Sequence, residues 1–304
     1  MNIPRHFTLL ALAACTLATE AAADFLPGEI LVPDEFNSVV LRYSAAGVLL
    51  QTYSAPGQFS WVGSALTPGG DWVGTYRSPV NGVKVFDDSG LQLQSWTGTA
   101  DRVNDVSVFA NGTLALTLDN GAIERRTQAG VLLGSTAAGL GTLLGSTVGA
   151  DDVLYFTTFN GGKLGRMNAA GVLLGTTTLG FTGGDVVSGV DGTLWVGNVD
   201  DNTIHHFTAA GVEIGTGFAS GFSGGNMYGL GIAPDGQSLY ATRLSNSVMR
   251  HLDLTGASLG DIALTGSSGV NLFFTVVPTP EPGSALLLTA GGGLLLSRRR
   301  RAQG

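Results

Sequence analysis

Cysteine is almost absent: Cys15 is the only one in 304 residues, and it sits near the N-terminus. The rest of the chain therefore has no disulfide, no thiol nucleophile and no thiolate metal site. Charge is also sparse, at 12% of residues. Residues 24–277 hold 10 basic and 21 acidic side chains, a net charge of −11. A body of that charge repels nucleic acid, which is excluded as a partner. No apolar stripe at helical spacing runs for ten residues, so long amphipathic helices are not expected. No phosphate loop, nucleotide fingerprint or Ser-His-Asp arrangement occurs, because the glycine pairs open no helix.

What is present is glycine, 47 of them, with an apolar fraction of 44%. Without a G-X-Y period this is not collagen, and the apolar content argues against disorder. Glycine mixed with Val, Leu and Thr suits short strands joined by tight turns.

Six units repeat along the chain. Their common feature is a turn glycine: Gly47, Gly90, Gly130, Gly171, Gly211 and Gly256, spaced 43, 40, 41, 40 and 45 residues apart. A second turn precedes each by 18 to 20 residues, at Gly28, Gly70, Gly112, Asp152, Gly192 and Gly236. After each of these comes a short β-branched run, such as TLALTLD or TLWVGNV. Seven residues before each turn glycine sits an apolar residue: Val40, Val83, Ile123, Leu164, Ile204 and Met249. A 40–45-residue period built from strands is the signature of a propeller. Each unit should give one four-stranded antiparallel blade. The first unit lacks its leading strand, and a surplus strand near 269–277 should join it and close the ring. The expected fold is all-β, a six-bladed β-propeller of four-stranded blades over 24–277.

The consensus DG-x-L-[WY]-V followed by N-x-I-x-x-[FY]-x-x-x-G resembles the NHL-type repeat, and more loosely the six-bladed hydrolase and lyase propellers. Asp191 to Gly215 matches best. The resemblance covers nearly the whole body and specifies fold more than function. The lactonase-like relatives it suggests hold a metal in the central channel with Glu, Asn and Asp. That set does not map onto this chain; Glu29 corresponds in position only.

Both ends read as processing segments. Arg5 and an apolar run from Phe7 to Ala18 lead to Ala21-Ala22-Ala23, so residues 1–23 are expected to be a signal peptide cleaved after the small residues Ala21 and Ala23. Leu12 to Cys15 offers a rival lipoprotein cleavage. At the other end, 278–304 runs from a Pro-rich motif to an apolar segment and a basic tail. Pro280-Glu281-Pro282 is followed by Ala285, Leu286, Leu287, Leu288 and, beyond three glycines, Leu294, Leu295 and Leu296. Arg298, Arg299, Arg300 and Arg301 close it. The segment 285–297 is expected to form a short hydrophobic helix, marginal as a membrane span, and the arginines should stay cytoplasmic. This order resembles the PEP-CTERM sorting signal of Gram-negative bacteria. The resemblance implies recognition and processing by an exosortase, transient residence in the inner membrane, and delivery to the cell surface or extracellular matrix with exopolysaccharide.

Candidate chemistry inside the repeats is weak. His206 and His251 fill a column that holds Arg42, Arg125 and Arg166 in other units, so no catalytic residue is assigned. His205 shares its column with Leu41, Lys84 and Glu124, which suggests a permissive position. The pairs Asp34-Glu35, Asp87-Asp88, Asp151-Asp152 and Asp200-Asp201 could bind Ca²⁺, but turn chemistry accounts for them without a metal, and no cofactor is expected. Trp72 and Trp195 should pack in the core. The favoured reading is a non-enzymatic binding or scaffold protein whose partners are exopolysaccharide or surface proteins. The alternative is an exported metal-dependent lactonase-like hydrolase or lyase.

Overall fold

The computed structural model describes residues 25–54, 59–223, 226–269 and 273–279. The predicted signal peptide and the sorting motif with its apolar segment and arginines lie outside the described residues. Among the described residues there is no α-helix, and no helix long and apolar enough to cross a membrane.

Six four-stranded antiparallel sheets form a ring of blades, as the repeat predicts. In the third blade the strands are Val103–Val108, Leu114–Leu118, Ala122–Arg126 and Leu132–Ala137, from the axis outward. The first blade is assembled from both ends of the chain. Its inner strand, Thr275–Val276, pairs with Leu31 and Ile30, so the ring is closed by hydrogen bonds rather than left with a free edge. The closing strand falls within the expected 269–277 segment, toward its end. Phe273 donates its backbone N–H to Val62 O of the second blade, at 3.1 Å, and is spent on the neighbouring blade.

Each blade turns on the repeated glycine. All six have φ between +78° and +90°, a conformation open to glycine but strained for other residues. In five of the blades the outer strand then joins with a shift in register, as between Arg125 and Arg126, which increases the blade's twist. Gly130 is constrained twice, because a Cβ there would also stand 2.5 Å from the Trp96 ring of the preceding blade.

The core lies between blades. Trp61, Trp72, Tyr76 and Phe86 stack tilted, with ring centroids such as Trp61–Tyr76 5.5 Å apart, in the layer joining the first two blades. Burying aromatic area at about 25 cal/mol per Å² makes such layers the main stabilising feature of the ring. Trp195 packs similarly between the fifth and sixth blades.

Strand direction gives the disc two distinct faces. The loop face carries the connections between blades and those joining second to third strands. The turn face carries the two glycine turns of every unit.

Candidate functional site

The inner strands narrow the axis in a regular way. Seven residues before the first-turn anchors stand Gly63, Asp105, Gly145, Asp185 and Gly229, so glycine and aspartate alternate around the channel. All five of these strands carry a register irregularity at this level. A Cβ on Gly63 would stand 2.6 Å from Asp105 Cα, and one on Gly145 would stand 2.5 Å from Asp185 Cα. The glycines therefore make the room into which the aspartates fit.

Asp105 and Asp185 are both buried. Asp105 Oδ2 accepts from Ser146 N–H at 2.8 Å and from its hydroxyl at 3.0 Å. Asp185 Oδ2 accepts from Leu230 N–H at 3.0 Å and Oδ1 from Val186 N–H at 2.8 Å. Asp105 Oδ1 has no hydrogen-bond partner. Burial pushes the Asp105 carboxyl up to about 8, against the backbone and Ser146 donors that pull it down. Burial also raises Asp185 far above the usual carboxylate range, and the nearby Asp105 adds to this.

On the turn face the channel opens into a cavity of about 430 Å³ with a hydroxyl-rich wall including Ser64, Ser107 and Ser146. On the loop face it opens into one of about 280 Å³ with different chemistry. One repeat column contributes to that second mouth from five blades. Four residues before each turn glycine, the third strands carry Tyr43, Phe86, Arg126, Met167, Phe207 and Leu252, and the residue five beyond the one paired to each of these is Glu35, Arg77, Asp119, Phe159, Val199 and Leu244 in blades one to six. Blades one to three thus present charge, and blades four to six present apolar side chains. Five of the six line the cavity, joined by Arg102, Asn104 and Tyr228.

The charged half is held by a chain of contacts. Arg77 Nε donates to Val103 O at 2.9 Å, and Nη2 donates to Asn104 Oδ1. Asn104 Nδ2 donates to Asp119 Oδ1 at 2.7 Å. Arg77 Nη1 stands 4.0 Å from Glu35, too far for a hydrogen bond. Arg102 meets Asp119 at 3.6 Å, also loosely. Burial lowers the Arg77 pKa, offset in part by Glu35; a guanidinium nonetheless stays charged. Donor and acceptor edges are thus both left partly open toward the cavity.

The sequence-selected residues fall elsewhere. Among the described residues, no three or more His, Cys, Asp or Glu side chains come together to hold a metal ion. His206 lies flat on Trp195, centroids 3.9 Å apart, and meets Thr193 Oγ1 at 2.7 Å. His251 meets Ser238 Oγ at 2.8 Å beside Tyr240. The column of His205 is not permissive: Leu41, Lys84 and Glu124 are buried there. His205 itself stacks on Phe181 and meets Glu213 at 2.6 Å. Glu29 pairs with Arg42 at 2.6 Å on the turn face and takes no part in the channel. Asp34 caps its own turn, accepting from Asn37 N–H at 3.0 Å, and also ties down Ser268 N–H at 2.6 Å. Sequence reasoning alone misses Asp105, Asp185, Arg77 and Asp119. The signal exists in the repeat, as columns whose chemistry changes from blade to blade, but only strand register says which columns face the axis.

No family model matches the chain, and no curated protein matches it. Solved structures do. A protein of unknown function from Bacteroides caccae is 13% identical with a TM-score of 0.64, covering 84% of this chain and 100% of that one. A chain of a nidogen–laminin complex is 12% identical with a TM-score of 0.68, covering 82% and 98%. Virginiamycin B lyase from Staphylococcus aureus, solved as an inactive variant with quinupristin, is 19% identical with a TM-score of 0.56, covering 68% and 70%. The fold is shared with all three. At these identities a likeness shows the fold and nothing of the chemistry.

Proposed function

We propose that this chain is an exported, non-enzymatic β-propeller that binds exopolysaccharide at the loop-face mouth of its channel. The reading rests on one observation, the cavity whose column supplies Glu35, Arg77 and Asp119 on one half and Phe159 and Leu244 on the other. A sugar has hydroxyl edges that both donate and accept, and C–H faces that pack on apolar side chains. A site with loosely engaged carboxylates and guanidinium groups facing aromatic and aliphatic walls matches both properties. The sequence of the tail supplies the address: recognition by an exosortase through Pro280-Glu281-Pro282, passage through the inner membrane, and release to the surface or matrix.

The metal-dependent hydrolase or lyase reading fits less well. Its donor set would be Asp105 and Asp185, yet both carboxyls are held toward the neutral form by burial. No third carboxylate or histidine completes a ligand set with them among the described residues.

The test is a binding titration of the purified chain against oligosaccharides cut from the host's exopolysaccharide. Saturable binding that falls at least tenfold in Arg77→Met and in Tyr228→Ala is the expected result. Binding to no glycan, or binding indifferent to both changes, would overturn the reading. Localisation of the native protein with and without the exosortase tests the address separately.

A further inference from the structure

The turn face carries an apolar crown that the fold does not use. Sixteen of the nineteen exposed large apolar side chains among the described residues belong to this face or its rim. They recur with the repeat. The residue after the turn glycine is Val48, Leu91, Val131, Val172 and Val212 in blades one to five, all more than half exposed, with Ala257 in blade six. Leucines follow in the first turn of the outer strands, such as Leu132 at 50% and Leu174 at 47% exposed. Neither the core nor ring closure requires them. Exposure that recurs at the same position in successive blades is patterned, unlike the scattered single apolar side chains of an ordinary surface.

The chain leaves the ring on the same face. Thr279 donates its hydroxyl to Pro234 O at 3.0 Å, in the first turn of the sixth blade. The apolar run of the sequence begins only six residues later, at Ala285, and four arginines follow it. A body tethered at that point by a segment buried in lipid has its turn face toward the lipid. The cations beside the crown, Arg42, Arg125, Arg126 and Arg166, are engaged with backbone carbonyls of the turns, at Asp88, Ala169, Gly130 and Ala209. The turns between its members carry acidic side chains, including Asp87, Asp191 and Asp253, each bonded to its own turn and each held below the usual carboxylate range by those bonds. Such a surface is repelled by anionic lipid.

We infer that the turn-face crown of valines and leucines docks on the surface of a zwitterionic bilayer, with the sugar-binding loop face turned outward. The inference draws on the tail reading above for the tether, while the crown itself is testable apart from it.

The experiment uses the full chain mixed with phosphatidylcholine–phosphatidylethanolamine vesicles, followed by hydrogen exchange and by alkaline extraction. The starts of the outer strands, near 49–50, 132–133 and 173–174, should exchange about tenfold more slowly on vesicles than in lipid-free buffer. Peptides of the loop face should not change. The quadruple variant Val131→Ser, Leu133→Ser, Val172→Ser, Leu174→Ser should lose this protection with an unchanged melting temperature. Replacing part of the lipid with phosphatidylglycerol should weaken it. Crown protection with a tail that washes off supports docking and sinks the tether. A tail that resists extraction beside an unprotected crown overturns docking alone. Protection already present without lipid, from the tail or a second copy, overturns it too, as does stronger protection on anionic vesicles.

Discussion

The loop face and the turn face are built from the same six units, and they differ in how faithfully the units repeat. On the turn face the chemistry recurs, with a valine or leucine after the turn glycine in five blades. On the loop face one structural column reads Glu35, Arg77, Asp119, Phe159, Val199 and Leu244. The recurrent face therefore offers the same exposed apolar chemistry from blade to blade. The other has a charged half and an apolar half, so it can orient a single small ligand. In a propeller the ring supplies position, and departure from the repeat supplies specificity.

The comparison can be broken most severely at the channel that joins the two faces. Gly145→Val places side-chain atoms against the Asp185 backbone, where a Cβ alone is 2.5 Å from Cα. The expected loss is more than about 3 kcal/mol, because overpacking meets backbone that cannot yield. Urea unfolding measures it, and a cost near zero would contradict the tight axis.

The Arg77→Met change removes the donor to Val103 O and Asn104 Oδ1 while keeping the apolar stem. It should cost about 2 kcal/mol by leaving buried acceptors unmatched, and it should weaken loop-face binding at least tenfold. The same urea curve and the glycan titration report these separately. Lipid docking by the turn face should be untouched.

A third prediction concerns pH. The folded-state pKa of Asp105 is raised to about 8, so the native state holds a proton that the unfolded chain releases near 4. The resulting stability is full below about pH 4 and is lost as pH rises through about 8. Between pH 5 and pH 9 the protein should lose roughly 1–3 kcal/mol from this group, allowing for relaxation of the buried site. Asp105→Asn should flatten that slope. A stability that climbs from pH 5 to pH 9 would refute the buried neutral carboxyl.

The smallest effect sharpens the contrast. Leu133→Ser with Leu174→Ser should change stability by no more than about 0.5 kcal/mol, since both side chains are already exposed. Sugar binding should stay intact in a titration run beside the wild type. A cost of several kcal/mol would mean that the crown belongs to the core.

Much of the ring is legible in the sequence because its signals are local. Turn glycines such as Gly130 mark a positive φ, and runs such as Leu114 to Leu118 mark buried strands, so blade number and strand order can be counted along the chain. The surplus strand at the C-terminal end is legible too, since the segment 269–277 contains the strand Thr275–Val276 that closes the ring. The site was much less legible. His205 and His206 stand out as residue types but are held by Phe181 and Trp195. Arg77 and Asp119 look like ordinary strand-end charges until register aligns them. The permissive look of the Lys84 and Glu124 column also misled, because Glu124 finds its partner in Arg126, two residues away and 2.7 Å distant.

The sequence by itself determined the number of blades, the place of every turn and the seam where the ring closes. Those follow from short-range conformational preference repeated six times. Only the tertiary structure decided which residues meet at the axis. Asp105 and Asp185 are 80 positions apart in the chain, and they influence one another only because the closed ring brings alternate blades to one narrow channel. Proximity of that kind depends on ring radius and strand register, which no local pattern encodes.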